Sequence, residues 1–177
     1  MIRYRYTDKE IKSILDSMVV IVDTREQKNQ HITNYFDAQK ILYMKRALKT
    51  GDYSAFIPRN DDLGITRDIH LQASIERKNS IDELAQSITD RSRFENELIR
   101  ASRSHFIMIV EDRDGYENLL NHKYRSQYSP KALLGSIKAF EIRYGYTTIF
   151  LDKKLTGNYI NYHLRGLVLE YLKNGVI

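Results

Sequence analysis

Met18-Val19-Val20-Ile21-Val22 is an unbroken apolar run rich in β-branched residues, the pattern of a strand buried on both faces. From residue 69 to 78 the pattern alternates instead. Ile69, Leu71, Ala73 and Ile75 interleave with Asp68, His70, Gln72 and Ser74, which predicts one strand with a buried and a polar face. Carried forward, the alternation puts Arg77 on the apolar face and Glu76 and Lys78 on the polar one, because side chains at i and i+2 share a face. Phe106–Val110 and Thr147–Leu151 are two further apolar strands. Residues 41–48 lean to strand because they feed a turn at Gly51. Residues 52–57 are expected to pair with the Glu76 strand as a hairpin, across an exposed, flexible connection at 58–67.

Between these strands the period becomes helical. Residues 8–17 read as a short helix capped by Asp8, with Ile11, Ile14 and Leu15 as its stripe. Ser80 followed by Glu83 forms a capping box. It opens a helix with Ile81, Leu84, Ala85 and Ile88 on one face, and Phe94, Leu98 and Ala101 form the next stripe. Ser129-Pro130 opens a helix carrying Leu133, Leu134, Ile137 and Phe140. Ile160, Leu164, Leu167, Val168 and Tyr171 mark a last amphipathic one. Residues 31–40 read as loop or helix. Strand then helix, repeated, with a hairpin in the middle, predicts an α/β fold with a central mixed sheet flanked by helices on both faces. At 177 residues one domain is expected, with 1–17 as an N-terminal helical extension and 18–177 as the core.

The chemistry gathers at the strand ends. Asp23-Thr24-Arg25-Glu26 follows the first strand, where open α/β sheets commonly place their sites. Gly51-Asp52-Tyr53 precedes another strand, and Glu76-Arg77-Lys78 ends the alternating one, with Asp82 in the helical turn beyond. Asp52 and Glu76 offer carboxylate oxygens, the ligands a hard divalent cation such as Mg²⁺ prefers. Such an ion acidifies water and polarises a phosphoryl group. Lys78 is placed to orient the attacking water or to stabilise charge on the phosphate. Each segment alone reads blandly, as a solvated strand, an ordinary turn or a strand running into a helix cap. Their occurrence together, each bordering an extended apolar run, points to metal-assisted phosphodiester cleavage.

The three segments resemble the motifs of XPF-type (ERCC-like) structure-specific nucleases: V-D-x-R-E at 22–26, G-D-Y at 51–53 and E-R-K-x-x-x-D at 76–82. Residues 91–98, 106–111 and 129–136 resemble further blocks of that family, so the likeness runs from about Met18 to the C-terminus. The resemblance implies a restriction-endonuclease-like core and DNA strand cleavage dependent on Mg²⁺, with Mn²⁺ able to substitute. It implies a metal site lined by Asp23, Asp52 and Glu76, Lys78 as the catalytic lysine, and Arg25, Glu26, Arg77 and Asp82 around them. It also implies branched, flap or junction DNA, or DNA with single-stranded segments, as substrate, and a homodimer or partner protein. Many relatives read Gly-Arg where this chain has Asp90-Arg91, and many carry helix-hairpin-helix or helicase domains that these 177 residues do not contain. A non-catalytic DNA-binding or scaffolding subunit, and a junction-resolving or restriction-type nuclease on the same core, remain as alternatives.

Composition changes the picture little. Lys and Arg outnumber Asp and Glu by 28 to 23, a net charge of +5 that favours a phosphate backbone. Arg91 and Arg93 are candidates for phosphates flanking the cut, against pairing with Asp90, Glu95 and Glu97 on a helix face. Lys123 and Arg125, interleaved with Tyr124 and Tyr128, are candidates for contacting distorted or single-stranded DNA, against a plain polar loop. With no cysteine, disulfides and zinc-thiolate sites are excluded. The five histidines show no metal-ligand spacing. No apolar run reaches bilayer length, and the basic start, Met1 to Tyr6, leads into no signal-peptide core. An intracellular location, cytoplasmic or with the nucleoid, is expected, and the compact size suits a phage or a prokaryote.

Overall fold

The computed structural model describes residues 6–175, so the basic start before Tyr6 lies outside the described residues. The strands are β1 (Val19–Val22), β2 (Tyr43–Lys45), β3 (Tyr53–Ile57), β4 (Ile69–His70), β5 (Ala73–Lys78), β6 (His105–Glu111) and β7 (Thr147–Leu151). The helices are α1 (Asp8–Ser17), α2 (Gln30–Ala38), α3 (Ile81–Thr89), α4 (Arg91–Ala101), α5 (Gly115–Leu120), α6 (Pro130–Tyr144) and α7 (Thr156–Asn174). They make the expected mixed sheet flanked by helices. By its internal contacts the chain divides into two compact units. One takes residues up to Leu48, Tyr53–Ala73 and the chain from Gly157; the other takes Lys49–Asp52 and Ser74–Thr156.

In the first unit β1 is the middle strand. It pairs parallel with β2 and antiparallel with β3, and β4 joins β3 antiparallel. Val20, Ile21 and Val22 are all buried, as their β-branched run predicts. The ambiguous 31–40 stretch is helix α2, and only Tyr43–Lys45 of residues 41–48 is strand. The α1 cap is Thr7 and not Asp8: the Thr7 hydroxyl accepts the Glu10 N–H at 3.3 Å while Glu10 accepts the Thr7 N–H at 2.7 Å. That reciprocal pair satisfies two donors at once, which Asp8 has no partner to do. The α7 stripe is Ile160, Leu164, Val168 and Leu172 at four-residue spacing; Leu167 and Tyr171 lie at its half-buried margin.

The predicted strand over 69–78 is interrupted. Leu71 still donates to Ala55 O at 3.0 Å, but the chain then bends at Gln72 and starts again as β5. The connection before β4 is mostly exposed, yet it is pinned by an Asn60–Ile65 bridge and buries Ile65.

In the second unit β5, β6 and β7 run side by side, with β6 and β7 parallel. Helices α3, α4 and α6 cover a core in which Phe94 meets Phe140 edge-on at 5.5 Å. The α3, α4 and α6 stripes bury as their spacing predicts. Helix α5 carries no clear sequence signal, being six residues opened by a glycine. Gly115 is required there because a Cβ would collide with the Phe150 ring. Asp90, which joins α3 to α4, has φ −82°, so the glycine that relatives place there is not needed.

Candidate active site

Gly51 turns the chain at φ +73°, with the position a Cβ would take 3.0 Å from both Ile75 O and Ser74 Cβ. Only glycine combines that angle with so close an approach. The Asp52 N–H then donates to Ile75 O at 2.8 Å, and Asp52 Oδ2 accepts the Arg77 N–H at 2.8 Å. The Gly-Asp-Tyr turn is thus fastened to the backbone of the residue that separates Glu76 from Lys78. Two motifs far apart in sequence become one piece.

Glu76 and Lys78 do share a face, and Lys78 Nζ donates to Glu76 Oε1 at 2.6 Å. The face is not solvated, however: the Lys78 side chain is 8% and that of Glu76 20% exposed. The pair therefore stands on a largely covered strand, whose remaining opening is the cleft at Lys78. Burial pushes the Glu76 carboxyl above its ordinary range, and Lys78 offsets this only in part while Glu97 and Glu83 push the same way. Burial pulls the Lys78 amine down, but Glu76, Glu83 and Asp52 outweigh it and hold the amine protonated. A cleft of about 250 Å³ opens at Lys78, lined in part by Glu83, Gln86, Arg93 and Glu97.

Arg77 points away, as the alternation predicts. Its guanidinium meets Glu111 of β6 at 2.8 Å, with both side chains buried. Glu111, Glu83 and Glu97 are site neighbours that sequence reasoning missed. Glu111 stands just past the predicted strand Phe106–Val110, and Glu83 reads from the sequence as half of a capping box. Ser80 does cap the Glu83 N–H at 3.2 Å, but the Glu83 carboxylate turns to Asn79 and accepts its N–H at 2.9 Å.

Asp23, Arg25 and Glu26 belong to the first unit. Asp23 is fully buried and accepts four hydrogen bonds. Oδ1 takes the Arg25 N–H and Nε, both at 2.8 Å; Oδ2 takes the Leu48 N–H at 2.6 Å and Arg25 Nη2 at 3.1 Å. A carboxylate offers about four lone-pair sites, so its acceptor capacity is filled. Burial raises its pKa, and these donors more than reverse that. Glu26 is buried, and its N–H donates to Asp23 O at 3.1 Å.

The other candidates lie in the second unit. Asp82 accepts the Arg125 N–H at 2.7 Å and Arg125 Nε at 2.9 Å. Arg91 stands 5.0 Å from the centre of the Phe140 ring and 3.5 Å from Glu95, so it packs α4 on α6. Arg93 reaches Glu97 at 3.4 Å on the rim of the Lys78 cleft, and Lys123 reaches Glu117 at 3.7 Å.

Among the described residues no three His, Cys, Asp or Glu side chains form a ready metal cluster. Two carboxylates nevertheless suit Mg²⁺, which is commonly held by one or two of them while keeping several waters. Asp52 and Glu76 are of that type. Among the described residues no helix is long and apolar enough to cross a membrane.

Comparison with known proteins gives the family and the fold. A family model described as the ERCC4 domain matches residues 22–162, drawing on both units. Among solved structures, XPF from Aeropyrum pernix is similar with a TM-score of 0.61 and 20% identity, over 86% of this chain and 66% of that one. The same archaeal XPF in complex with DNA gives a TM-score of 0.60 and 21% identity, over 86% of this chain and 65% of that one. This chain therefore spans just under two thirds of those structures. No curated protein matches.

Proposed function

The chain belongs to the ERCC4 domain family and has the XPF-type nuclease fold, and from that premise we propose that it is a metal-dependent DNA endonuclease acting on branched, flap or junction DNA. The observation that carries the proposal is the Asp52–Arg77 clasp, which brings the Gly-Asp-Tyr turn against the strand holding the Glu76–Lys78 pair. In this reading Asp52 and Glu76 hold Mg²⁺ or Mn²⁺. When bound, the cation supplies Lewis-acid charge to the phosphoryl group and the attacking water.

The side chains do the rest. Glu76 fixes the direction of the Lys78 amine and keeps it charged. A protonated amine in a half-enclosed cleft stabilises negative charge as it develops on the scissile phosphate, more strongly than it would in water. The Arg77 N–H orients the Asp52 carboxylate without neutralising it. Arg77 itself is a positioning residue, since Glu111 holds it on the far side of the strand. Asp23 as a ligand rests on the family motif. Its observed bonds make it the anchor of Arg25 and of the Leu48 backbone.

DNA as substrate is supported by the archaeal relative solved with DNA and by the net charge of +5. The branched-DNA preference rests on the motif set alone. A homodimer or partner protein belongs to the same proposal, and α7 exposes Tyr162 for such a contact. The test is incubation with labelled forks, flaps, junctions and plain duplex, with and without Mg²⁺. Cutting of branched forms that requires the metal is expected; cutting that ignores chelator, or no cutting of any form, overturns the proposal.

A further inference from the structure

A second cleft, of about 840 Å³, lies between α3 and the loop 122–128. It shares Glu83 and Gln86 with the Lys78 cleft, so the two adjoin along α3. Its size falls within the range of small-ligand sites, about 300–1,000 Å³. Its chemistry is unusual for a surface with so many charges. Gln86, Ser126 and Gln127 bring neutral donors and acceptors, Asn79 commits its side-chain amide to Glu83, and Arg125 brings one cation. The two acids in the lining are both engaged, Asp82 by Arg125 and Glu83 by Asn79.

Arg125 is held in a specific way. Asp82 takes its backbone N–H and its Nε, which leaves the two Nη groups uncommitted to Asp82 on a side chain that is 89% exposed. The loop is braced besides. His122 Nε2 lies 2.9 Å from Ser126 O, the Tyr124 hydroxyl donates to Tyr128 O at 2.6 Å, and the Tyr128 hydroxyl lies 3.0 Å from Ser136 Oγ. A guanidinium fixed before its ligand arrives loses less entropy on binding.

Neutral amides recognise base edges, and guanidinium groups recognise phosphate. Inside a concave cleft, amides reach the Watson–Crick edge only of a base that is not paired. Tyr128, half-buried against the core of the second unit, lines the cleft with part of its ring, and aromatic rings are surfaces on which bases stack. We infer that this cleft is a subsite for an unpaired stretch of the DNA strand, in which Arg125 holds a phosphate and Asp82 is the positioning residue that aims it. The inference rests on the nuclease reading and adds to it the place on the molecule where an unpaired stretch is held and the pair of residues that reads it.

The test is fluorescence anisotropy of the whole chain in chelator, with a short labelled oligothymidine and a blunt duplex of the same length. Arg125→Ala is expected to weaken the single strand about tenfold, the loss of one charge-assisted contact, and to lower its salt slope by about 0.7. The duplex should change less than about twofold, as should the single strand with Lys154→Ala, which removes the same charge elsewhere. Asp82→Ala should weaken the single strand similarly, and the double variant should be no weaker than Arg125→Ala alone. Equal losses on duplex and single strand, no loss with Arg125→Ala, or no binding by the unaltered chain overturns the subsite; additive losses overturn the role of Asp82. Mn²⁺-dependent cutting by the unaltered chain is read in parallel. Cutting without selective loss in Arg125→Ala sinks the subsite alone, and selective loss without cutting sinks the nuclease reading alone.

Discussion

Asp52 accepts a hydrogen bond at 2.8 Å from the backbone N–H of Arg77, a residue 25 positions further along the chain. That contact joins a turn to a strand and so places a carboxylate beside the Glu76–Lys78 pair. Because the donor is backbone, the link survives any substitution of the Arg77 side chain that keeps the strand. What it does require is the close approach at Gly51.

Gly51→Ala is therefore expected to be costly in two ways. The residue would hold φ +73° and crowd Ile75 O and Ser74 Cβ, at a cost of about 1–3 kcal/mol. Relief of that crowding would lift Asp52 from the strand. Urea denaturation should show the stability loss, and cleavage should fall further than Gly51 itself, which has no side chain, would explain.

The buried pair of Arg77 and Glu111 gives a second expectation. Arg77→Met removes one partner of the pair and leaves the Glu111 charge in place, a change that costs about 3–5 kcal/mol for a buried ion pair. Arg77→Met with Glu111→Leu should recover most of that loss, because two apolar side chains avoid the desolvation that either charge suffers. Equal stabilities of the single and double variants by denaturant melts would show that the pair is not coupled.

Acid should loosen the 122–128 loop before it unfolds the core. The Arg125 N–H, followed by its guanidinium, holds the Asp82 carboxyl below the ordinary carboxylate range, although partial burial opposes this. A depressed folded pKa means that the contact contributes stability above the unfolded value of about 3.9 and loses it as pH falls through the folded value. Amide exchange at Arg125, followed by NMR, should accelerate across that window in the unaltered chain and show no such step in Asp82→Ala.

Mn²⁺ titration by calorimetry, without DNA, separates the carboxylates. Glu76→Gln and Asp52→Asn should each weaken binding by about tenfold or more, since a hard cation loses a charged oxygen ligand. Asp23→Asn should chiefly destabilise the fold, because Arg25 and the Leu48 N–H lose a charged acceptor worth about 1.5–3 kcal/mol. A loss of Mn²⁺ heat in Asp23→Asn as large as that in Glu76→Gln would make Asp23 a direct ligand.

How much of this was legible in the sequence depends on distance along the chain. The period of Ile81, Leu84, Ala85 and Ile88 is local, and it placed α3 and its buried face correctly. The i, i+2 rule likewise placed Glu76 with Lys78 and turned Arg77 away. Contacts made through tertiary structure were not legible. Nothing in the spacing of Asp23 shows that Leu48 and Arg25 fill its oxygens, and nothing in Arg125 shows that Asp82 holds it. Nothing in the spacing of Arg91 shows that its guanidinium lies over Phe140, because that neighbour is on another helix. Alternation placed Glu76 and Lys78 on one polar face, but it reports which residues share a face and not what covers that face.

The most direct measurement is strand cleavage in Mg²⁺ by the unaltered chain beside Asp52→Ala and Lys78→Ala, each verified as folded by circular dichroism. The expected result is cutting that stops in chelator and slows by about a hundredfold or more in either variant. Folded variants that both cut at the unaltered rate would contradict the proposal that these side chains form the catalytic centre.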